Sequence, residues 1–403
     1  MRHTEEGPDS QRALSIDIIR GFALVCMVVI HYMVYFGNPE ALNTWLYFSL
    51  NHLLGDWGAS CFLLIMGISQ TLSGQRHTGL SNHLLFKRAL IRGIFIFTAG
   101  LAMLALTWGP YKIWQWDILT LMGAATIALF FCRFLPSWSI LLIAALIAAC
   151  TPFLRGQLSI ASTWNDNLVQ VPMISRYFPG ILFDPAGELK MVWSFKNILQ
   201  GFLFTGEFPV FPWMLFPLTG FVLGRRIIEK KIERDLPLLL PAGMSLVFMG
   251  LGLAHAGSLR PGSSVISGYI APLSFYPDSF SMIIAQLGMS VAFIVFLYYL
   301  YDIRGARDRN AGMLAGIFTR ISRSALTFYF VHYLLIGWPL AIIYFFTGKY
   351  RIYNLMGAWT AFVCGLTAAC LLGLLLAVWE KLGGRYKLEW LLAALTRRFA
   401  SGG

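Results

Sequence analysis

The sequence predicts an all-α, polytopic integral membrane protein, a single transmembrane domain over residues 1–403 built as a bundle of about ten helices. Three observations carry this. Of the 403 residues 57% are hydrophobic and only 12% are charged, with a mean hydropathy of +0.66. Apolar runs of about 20 residues, the length that crosses a bilayer, recur along the whole chain. The formal charge of +12 segregates to alternate connections, as the positive-inside rule requires. That segregation accounts for the basic balance without a nucleic-acid partner.

The runs fall at 14–36, 56–75, 88–107, 116–132, 138–153, 208–228, 236–256, 281–301, 324–346 and 355–380. The first is not a cleavable signal: it is too long, no small-residue cleavage site follows it, and it carries ionisable groups that a discarded peptide would not need. The fourth and fifth are short. The stretch 154–200 has room for an eleventh, interfacial segment, and 154–207 reads as an extracytoplasmic loop carrying Trp164, Asn165, Asp166, Asn167, Tyr177, Asp184 and Glu188. That loop either lines a site or is simply solvated. Ten spans place both termini in the cytoplasm, with 23 of the 31 Lys and Arg residues on that side. The opposite side keeps Lys112, Arg155, Arg176, Lys190, Lys196, Arg260, Lys349 and Arg351. An uncleaved first span and basic inner loops suit a plasma (inner) membrane. The six cysteines lie in or beside apolar spans without metal-ligand spacing, so they read as small core residues, and no metal is expected.

The first span is the most informative. It holds Asp17, Arg20 and His31 in otherwise apolar surroundings, and ionisable groups at membrane depth are functional candidates by default. At ~100° per residue, Arg20 and His31 are about three turns apart and Asp17 lies one turn before Arg20. The three share a stripe, which is predicted to face a protein cavity. Asp56 opens the second span, Asp117 opens the fourth, and Glu207 precedes the sixth, so these carboxylates share an outer layer with His31. Arg20, Lys87, Arg88 and Arg92 form an inner, basic layer. His332 lies part-way up the ninth span. Each has a plainer reading. Asp17 and Arg20 can be an interfacial pair that fixes topology, His31 and His332 can be helix-packing histidines, Asp56 and Asp117 can be N-caps, and the basic trio can be membrane anchors.

Asp17-x-x-Arg20-Gly21 followed by His31 resembles the first-helix signature of the transmembrane acyltransferase superfamily, which includes the family-three membrane acyltransferases and heparan-alpha-glucosaminide N-acetyltransferase. Asp56 followed by Cys61-Phe62-Leu63-Leu64-Ile65-Met66-Gly67-Ile68-Ser69 is similar to the second-helix motif of the glucosaminide acetyltransferase branch. Trp116-Asp117-Ile118-Leu119, Phe211-Pro212-Trp213, the block Ser322 to His332 and the tail Lys387 to Leu392 resemble further blocks of related bacterial membrane proteins.

The resemblance implies transfer of an acyl group, acetyl in the first instance, from cytoplasmic acyl-coenzyme A to a hydroxyl or amine of a carbohydrate-like acceptor outside. His31 is then the catalytic base, with Asp56 orienting it as a carboxylate does in hydrolase triads. Arg20, Lys87, Arg88 and Arg92 would hold the coenzyme A phosphates, while Asp17, Asp117, Glu207 and His332 are accessory candidates. Expected partners are acyl-coenzyme A, a glycan or lipid-linked sugar, membrane lipids and a second copy of the chain. Two departures stand out. Family-three enzymes separate their second-helix arginines by two residues, whereas Arg88 and Arg92 are separated by three. The glucosaminide branch has a histidine where this chain has Leu46, although His52 is near. The competing function is a secondary transporter using His31, Asp56 and Asp117 as a proton or substrate pathway.

Overall fold

A computed structural model describes residues 13–75, 79–108, 110–157, 181–183, 189–191, 195–259, 270, 273–275, 278–304, 312–347 and 355–400. Ten helices overlap the ten predicted runs: α1 Leu14–Phe36, α2 Asp56–Gln75, α3 Asn82–Trp108, α4 Ile118–Cys132, α5 Ser137–Gln157, α6 Leu215–Ile228, α7 Ile232–Leu259, α8 Phe280–Tyr298, α10 Ala325–Thr347 and α11 Ala358–Lys381. Two more, α9 Met313–Arg323 and α12 Leu388–Ala400, are amphipathic and end in arginines. Among the described residues, seven stretches are long and apolar enough to span a membrane, and Ile118–Cys132 and Ala325–Pro339 are shorter apolar helices. The only strands among the described residues are a three-residue pair, β1 Ile181–Phe183 and β2 Leu189–Met191. The chain is thus a multi-pass, all-α membrane protein. Most of the predicted 154–207 loop, with Trp164, Asp166, Asp184 and Glu188 among it, lies outside the described residues.

Two boundaries differ most from expectation. The sixth run starts at Leu215 rather than at 208, because Pro209 precedes and Pro212 lies within a separate short turn, Val210–Trp213; proline lacks the N–H that a continuing helix needs. The third begins six residues early, at Asn82, which puts Lys87 and Arg88 inside the helix. Of the cysteines, Cys26, Cys61 and Cys132 are buried, but Cys150 and Cys370 are exposed.

α1 is the central helix, packed against α2, α8, α9, α10 and α11. Its N-terminus is held by Asp302 from the end of α8, whose carboxylate accepts from the N–H of Leu14 at 2.7 Å and of Ser15 at 3.0 Å. These are donors that a helix leaves orphaned, and the negative charge suits the positive end of the helix dipole. α2 is similarly enclosed: Cys61, Leu63, Leu64, Ile65 and Ile68 have no exposed surface. Its contact with α6 is backbone to backbone. A Cβ on Gly67 would sit 2.2 Å from Pro217 O, and one on Gly220 would sit 2.0 Å from Leu64 O. Small residues permit such approach where dispersion, rather than water exclusion, drives association.

The bundle has two unlike ends. At one, the α1 N-terminus meets Asp302, Arg225 donates to Cys132 O and Leu135 O in the α4–α5 turn, and Lys387 donates to Ser324 Oγ and Glu380. At the other, Gly37 bridges to Met356 and the 206–208 segment meets Gln115 and Trp116.

Candidate active site

At the second end, the last turns of α1 and the first turns of α2 splay apart around a cavity of about 450 Å³. Its wall on α1 runs from Ala23 to Tyr35, a length of about 18 Å at 1.5 Å per residue. The deep part is apolar (Ala23, Leu24, Met27, Phe62), and the upper part is polar and aromatic, with His31, Tyr47, His52, Asp56, Glu207 and Tyr333. No lysine or arginine lines it among the described residues.

His31 is placed by α10. Its Nδ1 lies 3.1 Å from His332 Nε2, with the rings nearly parallel at 13°. His332 itself has no exposed surface, and its Nδ1 is hydrogen-bonded to the carbonyl oxygen of Tyr329. Tyr329, His332 and Tyr333 recur at i, i+3 and i+4 on α10, so one helical face delivers all three to this wall. The His31 ring also packs against Tyr333, with centroids 5.0 Å apart, and against Tyr35 at 6.1 Å.

Asp117 stands behind that wall. It caps α4, accepting from Leu119 N at 2.9 Å, and its second oxygen accepts from Tyr329 Oη at 2.7 Å. Trp116 before it has φ of 61°, a left-handed conformation rare for a bulky residue. The adjoining backbone is tied down by Glu207 N donating to Gln115 O at 3.0 Å and Phe208 N to Trp116 O at 3.0 Å. The Gln115 side chain donates to Glu207. Glu207 is thereby mounted on the cavity rim. The 273–275 segment is tied through the bridge of Phe275 to Asp278, and Asp278 is held by Arg155, which is only 2% exposed. Arg155 donates to Phe204 O, Asp278 O, Phe211 O and the Asp278 carboxylate, at 2.8 to 3.3 Å. A residue expected on the solvated outer surface is instead a buried clamp between two rim segments.

The predicted site residues divide. His31, Asp56 and Glu207 line one cavity, and Asp117 and His332 support its wall. Asp56 does not orient His31, which corrects the triad expectation. Its oxygens accept from Asn51 Nδ2 at 3.0 Å and meet His52 Nδ1 at 2.5 Å. The π-helical turn Asn51–Gly55 running into α2 brings those three side chains together. His31 takes His332 as its partner instead.

Arg20 and Asp17 do not line the cavity either, so the predicted stripe faces two environments. Arg20 donates to Asp17 Oδ1 at 3.2 Å, to Ser322 Oγ at 3.1 Å and to Ser69 Oγ, while Ser322 Oγ donates to Asp17 at 2.8 Å. This network joins α1, α2 and α9 one turn below the cavity floor at Ala23. Lys87, Arg88 and Arg92 are on α3, which packs against α4, α10 and α12, whereas Arg20 is on α1 and bonds to α2 and α9. Arg20 and the basic trio are therefore separate groups. Arg92 Nε is buried without a hydrogen-bond partner among the described residues.

Sequence reasoning did not single out Tyr329 or Tyr333, and it noted His52 only as lying near Leu46. The i, i+3, i+4 pattern of Tyr329-His332-Tyr333 and the i, i+4 spacing of His52 and Asp56 were the available signals. Compared with known proteins, residues 12–254 match the family model of the heparan-alpha-glucosaminide N-acetyltransferase catalytic domain. No curated protein matches the chain.

Proposed function

The chain belongs to the heparan-alpha-glucosaminide N-acetyltransferase catalytic-domain family, and from that premise we propose that it transfers an acetyl group from acetyl-coenzyme A to a sugar-like acceptor in the His31 cavity. The family supports an acetyltransferase. The observation that carries the rest is the cavity itself, polar and aromatic around His31 and apolar down to Ala23, one turn above Arg20. It suits two reactants meeting from opposite ends. The acyl end of the donor occupies the apolar depth, and its phosphates lie at the basic end, within reach of Lys87, Arg88 and Arg92, where guanidinium groups bind phosphate oxygens in bidentate fashion. That end faces the cytoplasm and holds both termini in this reading, following the positive-inside pattern.

His31 removes the proton from the acceptor hydroxyl or amine as its oxygen or nitrogen attacks the thioester carbonyl. The carbon–sulfur bond then breaks, and the imidazolium returns the proton to the departing coenzyme A thiolate. Asp56, held by Asn51 and His52, and Glu207 supply acceptors for sugar hydroxyls, and the tyrosines offer ring faces. Two carboxylates with no lysine or arginine among the described residues of the wall favour a neutral or cationic acceptor over an acidic one. The test is release of coenzyme A thiol from acetyl-coenzyme A by protein in lipid nanodiscs, offered neutral, amino and acidic sugars in turn. Thiol release stimulated by neutral or amino sugars and abolished in His31→Gln is expected. No stimulated release from a folded sample overturns the reading.

A further inference from the structure

His332 lies outside residues 12–254, the part of the chain that matches the family model, yet it makes the one hydrogen bond that His31 has among the described residues. The contact has a direction. A carbonyl oxygen can only accept, so the bond from His332 Nδ1 to Tyr329 O puts the proton of a neutral His332 on Nδ1. Its Nε2 then carries a lone pair, and the atom 3.1 Å away, His31 Nδ1, must donate to it. In neutral His31 the proton therefore sits on Nδ1, and Nε2 holds the lone pair. That nitrogen has no hydrogen-bond partner among the described residues, on a residue that lines the cavity.

From this chain of bonds we infer that His332 is a positioning residue: it fixes His31 in the Nδ1–H tautomer and aims Nε2 at the acceptor. The same job is done in other enzymes by a carboxylate or a carbonyl oxygen hydrogen-bonded to the far nitrogen of the base. Here an imidazole does it, and the rigid partner is the α10 backbone. Tyr329 joins both sides of this device. Its carbonyl sets the His332 tautomer, and its hydroxyl is tied to Asp117 at 2.7 Å, which holds α10 against the start of α4. The carboxylate is thus separated from the base by Tyr329 and His332, and among the described residues His31 has no negatively charged hydrogen-bond partner.

The inference rests on the reading of His31 as the base, but its first readout needs no activity. Nitrogen-15 spectra of histidine-labelled protein in lipid, with His31→Gln to assign the signals, report which ring nitrogen carries the proton. Wild type is expected to show His31 protonated at Nδ1 only. His332→Gln should keep that state, because an amide oxygen accepts and an amide N–H can still donate to Tyr329 O. His332→Leu should show mixed tautomers. With acetyl-coenzyme A and a stimulating acceptor, His332→Leu should lower kcat by about 10- to 100-fold, part of the roughly 10²- to 10⁴-fold that a positioned base contributes. KM should stay within about 3-fold, and His332→Gln should recover most of kcat.

A wild-type His31 protonated at Nε2 overturns the inference, as does a His332→Leu protein that keeps both tautomer and kcat. Should the leucine variant not fold, the wild-type spectrum and the glutamine variant still decide. The expected tautomers in a protein that transfers nothing would uphold the positioning and refute the acetyltransferase reading instead.

Discussion

Two polar clusters sit on the same helix, and they are built to opposite ends. Around Arg20, the bonds among the described residues run within the protein: its guanidinium, Asp17, Ser69 and Ser322 hydrogen-bond one another across three helices. About three turns further along α1, His31, which lines a cavity, spends one ring nitrogen on His332 and has no partner for the other among the described residues. Both clusters carry the cost of polar groups at membrane depth, and in the His31 cluster one ring nitrogen has no hydrogen-bond partner among the described residues. Intramembrane polarity therefore marks sites and joints alike; what separates them is whether the hydrogen-bonding capacity is closed within the protein.

Substitutions can break or sharpen that contrast. The largest effect is expected at the open cluster: His31→Gln should lower acetyl transfer by about 10²- to 10⁴-fold while leaving the thermal midpoint in detergent nearly unchanged. A matching loss of stability would make His31 a joint like Arg20. Next comes the clamp under the rim. Arg155→Met strands Asp278 in a buried site, where breaking a buried pair costs about 3–5 kcal/mol, so the midpoint should fall and the protein should yield poorly. Asp17→Asn should lose about 1–2 kcal/mol of stability from weakened hydrogen bonds in a part-buried network, with kcat within a few-fold of wild type. A kcat loss as deep as that of His31→Gln would move Arg20 and Asp17 into the chemistry. The smallest effect is expected at the cavity wall opposite His31. Asp56→Asn should raise KM for the acceptor by about 10-fold, the worth of one charge-assisted hydrogen bond, with kcat nearly kept.

Much of the helical architecture was legible because a bilayer demands long apolar runs, and each of the ten runs contains a helix. The amphipathic α9 and α12 were not, since hydropathy over a membrane-length window averages their two faces away. Yet α9 supplies Ser322 to the Arg20 joint, and α12 supplies Glu389, which accepts from Leu326 N at 2.7 Å and Thr327 N at 3.0 Å and so anchors the start of α10. In the candidate site, His31 was legible as an ionisable group in an apolar span. Its partner was not, because His332 is 301 positions away and only packing decides which polar groups on different helices meet. For the same reason Asp56 was read as a partner for His31, while its local neighbour His52, one turn earlier in the chain, holds it instead.

The most direct test of the central claim follows acetyl groups in nanodisc-embedded protein, using radiolabelled acetyl-coenzyme A, a set of neutral and amino sugars, and wild type beside His31→Gln and Asp17→Asn. Label appearing on a sugar with wild type and Asp17→Asn, and not with His31→Gln, is the predicted result. Label transferred equally by His31→Gln would contradict the account, since the open nitrogen would then have no part in the reaction.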